Sequence, residues 1–304
     1  LKMLSESDDN ILDDVDLIET LEISKTTSEE INKRIEIANV TNEKIDTIRE
    51  VYRPVATRGS LLYFVISDMG NVDPMYQYSL DYFSNLFMKC LDNAPKSKKV
   101  QQRVENLLSY LTMFVYNNIC RGLFEVHKLM YSFLICCSIM RNAGKIAFDE
   151  WNILLRGVPP KAKAEDGEEE EEVKNPFPDL ITEKNFALLQ GIEATIPEFK
   201  GIIGDMGEDS KSWTAYISSG NTHQEKLPGE WGTKLSNFQQ LLLLKVVSTE
   251  KLVFAFSDFV VKEMGKEYVE VQNIKLADVY KDTDKTTPVI FVLSSGADPT
   301  GMLL

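Results

Sequence analysis

The residues nearest to a recognisable chemistry are Gly296-Ala297-Asp298-Pro299-Thr300-Gly301-Met302-Leu303. They follow Val289–Leu293, an apolar β-branched run that predicts a strand. A strand leading into G-x-x-x-x-G-K-[ST] is the phosphate-binding P-loop. Its glycines let the backbone N–H groups close on phosphate, its lysine reaches the terminal phosphates, and its hydroxyl holds Mg²⁺. Gly296 and Gly301 stand at that spacing, but Met302 occupies the lysine position and Leu303 the hydroxyl position. Pro299 also lacks an N–H. The reading is a degenerate P-loop without the cation or the metal anchor that phosphoryl transfer needs. An unrelated glycine turn is the alternative.

Other candidate chemistry is thin. Gly201, Gly204 and Gly207 follow a helix-like segment, not a strand, and make no dinucleotide fingerprint. The four cysteines, Cys90, Cys120, Cys136 and Cys137, have no metal-ligand spacing, and Cys136-Cys137 lie in an apolar helical stretch. They read as buried reduced thiols. With His127 and His223 the only histidines, neither a zinc site nor a nucleophile–histidine pair is expected. No metal site and no catalytic residue is predicted. The net charge of −14, with seven acids in the run Glu165–Glu172, leaves no basic face for nucleic acid. The apolar runs are too short to span a bilayer, so no membrane partner is expected.

The elements that would position such a loop are mostly helices. Leu17, Leu21, Ser24, Ser28, Ile31, Ile35, Ala38, Asn42, Ile45, Arg49 and Tyr52 alternate by four and three, the spacing of a coiled-coil seam. Two arrangements are open. A tip at Asn39–Asn42, the poorest helix former here, gives a hairpin over about 14–58; otherwise the seam is one long amphipathic helix. Pro54 is expected to kink or end it. Helices are then predicted over Met75–Phe87, Val100–Val115, Leu123–Met140 and Trp151–Leu155, the third apolar nearly all round and therefore central.

The segment 158–178, with Pro159-Pro160, the acidic run and Asn175-Pro176-Phe177-Pro178, reads as a flexible linker. Beyond it, Phe186–Ile192, Leu235–Val247 and Lys251–Met264 are predicted helices. A turn-rich stretch with Trp213, Tyr216 and Trp231 separates the first two. The chain opens at Leu1 without Met and stops just after the glycine loop, as expected of an excised piece.

Several stretches resemble dynein heavy chains. Leu17-Ile18-Glu19-Thr20-Leu21 with Ser24-Lys25 is similar to the start of the strut, or buttress, of that family. Tyr52-Arg53-Pro54-Val55-Ala56 with Arg58-Gly59-Ser60 is similar to its return to the motor ring. Asp73–Leu80, Phe124–Leu129, Gln239–Leu244 and Thr287–Thr300 resemble the helices and strand that follow, and the patterns His127–Phe133 and Phe291–Pro299 are closer to the axonemal branch.

The resemblance implies a mainly α fold. Residues 1–157 would be the helical small subdomain of the fifth AAA+ module, with the strut hairpin. Residues 179–304 would be the N-terminal part of the sixth module's α/β large subdomain, ending at its vestigial P-loop. It further implies a non-catalytic coupling segment of an ATP-driven, minus-end-directed microtubule motor in the cytoskeleton of a cilium or flagellar axoneme. ATP and Mg²⁺ would be held by other modules. The partners would be neighbouring modules and the stalk of the same chain and, through the whole motor, microtubules and intermediate and light chains. The competing expectations are an ATP-hydrolysing AAA+ module and a free-standing coiled-coil scaffold.

Overall fold

The computed structural model of the chain describes residues 15–158, 175–270, 276–281, 283, 285, 288–293, 296, 298 and 300–303. The expected polar start at Leu1–Asn10 and nearly all of the expected linker, with its acidic run, lie outside them. Among the described residues every regular element is helical. Contacts divide the chain into two compact units, residues up to Thr57 with Ala94–Leu108, and Arg58–Asn93 with Ser109 onward.

The first unit is built on α1 (Val15–Asp68), an unbroken helix whose C-terminal part enters the second unit. Of the two arrangements open for the seam, the single helix is the one formed, and there is no tip at Asn39–Asn42. The polar β-branched residues continue it because their hydroxyls bond back to carbonyls four residues earlier. Thr41 Oγ1 donates to Ile37 O at 2.7 Å and Thr47 Oγ1 to Glu43 O at 2.8 Å. Its seam spacing fits one arm of a coiled coil; no second arm is among the described residues.

Pro54 does not end the helix either. Its missing N–H deprives the Glu50 carbonyl of one bond, a loss of about 3 kcal/mol. The residues beyond it bury Leu62, Val65, Ile66 and Met69, at about 1.5–3 kcal/mol each, and this offsets the defect. In the same unit Arg103 Nη1 donates to Ala94 O (2.8 Å) and Pro95 O (2.9 Å), tying the start of α3 (Val100–Cys120) to the preceding turn.

The second unit holds the core. It contains α2 (Leu80–Asn93), α4 (Glu125–Asn142), α5 (Phe148–Arg156), α6 (Glu183–Thr195), α7 (Ile202–Glu208), α8 (Ser210–Ile217), α9 (Trp231–Lys234), α10 (Asn237–Val247), α11 (Leu252–Glu263), α12 (Leu276–Lys281) and α13 (Thr300–Leu303). The predicted helix over Met75–Phe87 begins only at Leu80. Met75 N donates to Asp73 Oδ1 (2.9 Å), and the buried Tyr76 hydroxyl accepts from Phe124 N (3.0 Å) and meets His127 Nδ1 (2.7 Å). These bonds hold the approach as a loop until Ser79 Oγ accepts from Tyr82 N (3.1 Å).

α4 is central, as its all-round apolarity predicts: Tyr131, Ile135, Cys136 and Cys137 are all at most 1% exposed. Helices from before and after the 158–178 segment share this core. Phe133 of α4 stacks on Phe256 of α11 with centroids 4.1 Å apart, and Trp151 of α5 lies 6.4 Å from Phe238 of α10. The turn-rich stretch between α6 and α10 contains three short helices. One oxygen, Asp205 Oδ2, accepts from both Trp213 Nε1 (3.1 Å) and Trp231 Nε1 (2.8 Å) and fixes them together.

The predicted strand Val289–Leu293 is not formed: these residues lie in no regular element and are 37–79% exposed. A strand needs a neighbour for its backbone N–H and C=O groups, and no described residue supplies one.

Candidate functional site

The expected degenerate P-loop is described only at Gly296, Asp298 and Thr300–Leu303. Gly296 has φ +87°, a left-handed conformation that favours glycine. Gly301, Met302 and Leu303 follow in α13, a helix of only four residues. At its start Asp298 Oδ1 accepts from Thr300 N (2.9 Å) and from the Thr300 hydroxyl (2.5 Å). The Thr300 hydroxyl, and then its backbone N–H, hold the Asp298 carboxyl below its ordinary range. The loop therefore carries its own anion on an N–H that a phosphate would otherwise meet. The sequence continues with Met302 and Leu303, which bring neither an ammonium nor a hydroxyl.

The seam gathers on one face of α1, and that face is bare. Leu21 and Ile45 are 42% exposed, Ile31 and Ile35 51%, and Ala38 is exposed too; the Leu17 side chain lies outside the described set. Asp16–Val51 is roughly 50 Å of helix at about 1.5 Å per residue. Ile45, Ile48, Arg49, Tyr52, Arg53 and Ala56 line a hollow of about 320 Å³. The first four stand at i, i+3, i+4 and i+7, the diamond that receives a knob from a facing helix. Spacing alone identified Ile31, Ile35 and Ile45; the hollow adds a receiving surface.

Three joints in the second unit escaped the sequence reading. Glu150, 6% exposed, accepts from Ala147 N (2.9 Å) through Oε2 and from Gln239 Nε2 (2.7 Å) through Oε1. Gln239 Oε1 in turn accepts from Ser236 N (2.9 Å). The caps of α5 and α10 are thereby one network. The Ser236-x-x-Gln239 capping box could have been read; Ala147 at the other cap gives no signal. Lys245 Nζ donates to Leu154 O (2.7 Å) and Ile153 O (3.2 Å) at the end of α5, and burial lowers its pKa. Tyr268 O accepts from Tyr116 OH and from Ser132 Oγ, each at 2.7 Å.

All four cysteines are buried and unpaired by disulfides. Burial pushes Cys120 up to about 11 and Cys136 up to about 12, and raises Cys137 further. These three are not thiolates near neutral pH. No helix among the described residues is long and apolar enough to cross a membrane.

The similarity to known proteins runs from end to end. The chain is 39% identical over 303 residues to dynein axonemal heavy chain 1 of Rattus norvegicus, covering 100% of this chain and 6% of that protein. It is 36% identical over 303 residues to the dynein-1-beta heavy chain, flagellar inner arm I1 complex, of Chlamydomonas reinhardtii, covering 100% of this chain and 7% of that one. It is 39% identical over 329 residues to dynein axonemal heavy chain 6 of Homo sapiens, covering 99% of this chain and 8% of that one. No family model matches. A mainly helical segment with a long seam-bearing helix, similar over its whole length to these proteins, belongs to the dynein heavy-chain family, in its axonemal branch. The chain spans less than a tenth of the length of the relatives it matches.

Proposed function

We propose that this chain is a non-catalytic structural and coupling segment of an axonemal dynein heavy chain, a microtubule motor of the cilium or flagellum. α1 is the strut arm that relays the state of the ring to the stalk. The second unit joins the small subdomain of the fifth AAA+ module to the start of the sixth. The observation that carries the reading is the bare seam of α1, with Ile31, Ile35 and Ile45 exposed on one face and a knob-receiving hollow below them. ATP and Mg²⁺ are held by other modules, and this loop binds neither. The partners are the stalk and neighbouring modules of the same chain and, through the motor, microtubules and accessory chains.

The competing reading as an ATP-hydrolysing module lacks a lysine at 302 and a hydroxyl at 303. A motor carrying Ile31→Ala, Ile35→Ala and Ile45→Ala separates the two. A coupling element keeps basal ATP turnover and loses its stimulation by microtubules. Loss of both rates together would favour the catalytic reading, and wild-type values of both would remove the coupling role.

A further inference from the structure

A cavity of about 830 Å³ in the second unit takes no part in the loop or the seam. Its wall includes Ser236, Asn237 and Phe238, where α10 starts, together with Lys145, Lys226, Lys262 and His223. Ser236 Oγ accepts from Gln239 N (3.2 Å) and Ser236 O from Gln240 N (2.9 Å). The N–H groups of Asn237 and Phe238 have no acceptor among the described residues. Free N–H groups at the positive end of a helix suit an anion.

Three ammonium groups stand around this one cavity in a chain whose net charge is −14. Lys262 Nζ donates to Asn237 Oδ1 (2.5 Å), and among the described residues neither Lys145 nor Lys226 has a carboxylate at ion-pair distance. Two acids also line the cavity, and both have donors of their own. Glu263 Oε1 accepts from Asn237 Nδ2 (2.6 Å), and Glu225 Oε1 accepts from the Ser219 hydroxyl. Glu150, which accepts from Gln239, is not among the lining residues.

His223 points to a ligand independently. Its side chain is 10% exposed and stacks on Phe254 with centroids 5.6 Å apart. Nε2 lies 3.9 Å from Asp258 Oδ2, whereas Nδ1 is buried with no hydrogen-bond partner among the described residues. A buried polar atom without a partner requires an explanation, and a bound group is one. An imidazole nitrogen donates when it carries hydrogen and accepts when it does not. A phosphate group, whose last proton leaves near neutral pH, answers either state; a carboxylate offers acceptors alone.

We propose that this cavity is a phosphate-binding site. The N–H groups of Asn237 and Phe238 and the ammonium groups of Lys145 and Lys226 hold the anion, and His223 Nδ1 meets one of its oxygens. The site is separate from the glycine-containing loop and does not depend on the strut reading.

The test is imidazole NMR of the chain, whose two histidines report separately. Inorganic phosphate, added at fixed pH and ionic strength, should displace the His223 signal saturably, with a dissociation constant in the millimolar range. The His127 signal should stay in place, since that ring is bonded to the Tyr76 hydroxyl at 2.7 Å. Lys145→Gln and Lys226→Gln, both at exposed positions, should each weaken binding several-fold. O-phosphoserine distinguishes the sources of the anion: binding as tight as phosphate or tighter assigns the site to a phosphorylated side chain, and weaker binding assigns it to free phosphate. No displacement of His223 by either compound, an equal displacement by sodium chloride, or unchanged affinity in both lysine variants overturns the site.

Discussion

Gln239 Nε2 donates to the buried Glu150 carboxylate at 2.7 Å, and this bond joins the N-terminal caps of two helices 89 residues apart in sequence. Both partners also serve a cap of their own. Gln239→Leu leaves Glu150 Oε1 buried without a donor and should cost about 1–3 kcal/mol, read as a fall in the urea midpoint. The pair Glu150→Leu with Gln239→Leu should cost less than the sum of the single variants. Strict additivity would mean that the two side chains do not interact in solution.

A close approach at α6 gives a second expectation with a definite sign. A Cβ on Gly191 would lie 2.6 Å from both methyls of Val158. Helix propensity alone favours Gly191→Ala by up to about 1 kcal/mol. Overpacking should reverse that sign and destabilise by about 1–3 kcal/mol. Val158→Ala in the same chain should restore most of the loss. A stabilised single variant would show that the 158 side chain does not lie on α6.

Much of the helical core was legible because its signal is local. α4 reads as central from Leu123–Met140 alone, and the structure buries Tyr131, Ile135 and Cys137 there. The seam residues Ile31, Ile35 and Ile45 share a face because a 4–3 spacing fixes their azimuth. Three other features were not legible, because they depend on distant residues or on competition between small terms. Pro54 lies inside α1 because downstream burial outweighs one lost bond. Asp205 clamps Trp213 and Trp231 across gaps of 8 and 26 residues, which no local pattern announces. Val289–Leu293 has the composition of a strand, yet a strand is defined by its neighbour.

Alkaline pH should weaken the second unit. Burial pushes the tyrosines at 78, 216 and 268 from 10.0 up to about 12. A raised folded-state value means that the native form holds its proton longer than the unfolded form. The stability this contributes is fully present below pH 10.0 and is lost as pH rises toward about 12. Cys120 and Cys136, raised from 9.0 to about 11 and about 12, add to the loss from pH 9 upward. The urea midpoint should be level from pH 7 to 8.5 and fall steeply by pH 11. A level midpoint through pH 11 would mean that these hydroxyls are solvated.

Calorimetric titration of the chain with Mg-ATP should give no heat of binding in the micromolar range, because Met302 and Leu303 replace the cationic and metal-anchoring residues and Asp298 brings a negative charge. Micromolar binding by the unaltered chain would refute this account of the loop.

The proposed relay is tested most directly by microtubule affinity as a function of nucleotide state. The relay proposed for α1 predicts that microtubule affinity depends on the nucleotide state of the ring only while α1 can pass that state to the stalk. The motor with Ile31→Ala, Ile35→Ala and Ile45→Ala should bind microtubules with nearly the same constant in both states, at unchanged basal turnover. If its two constants differ by the wild-type factor while proteolysis shows the strut pairing lost, α1 does not couple the ring to the stalk.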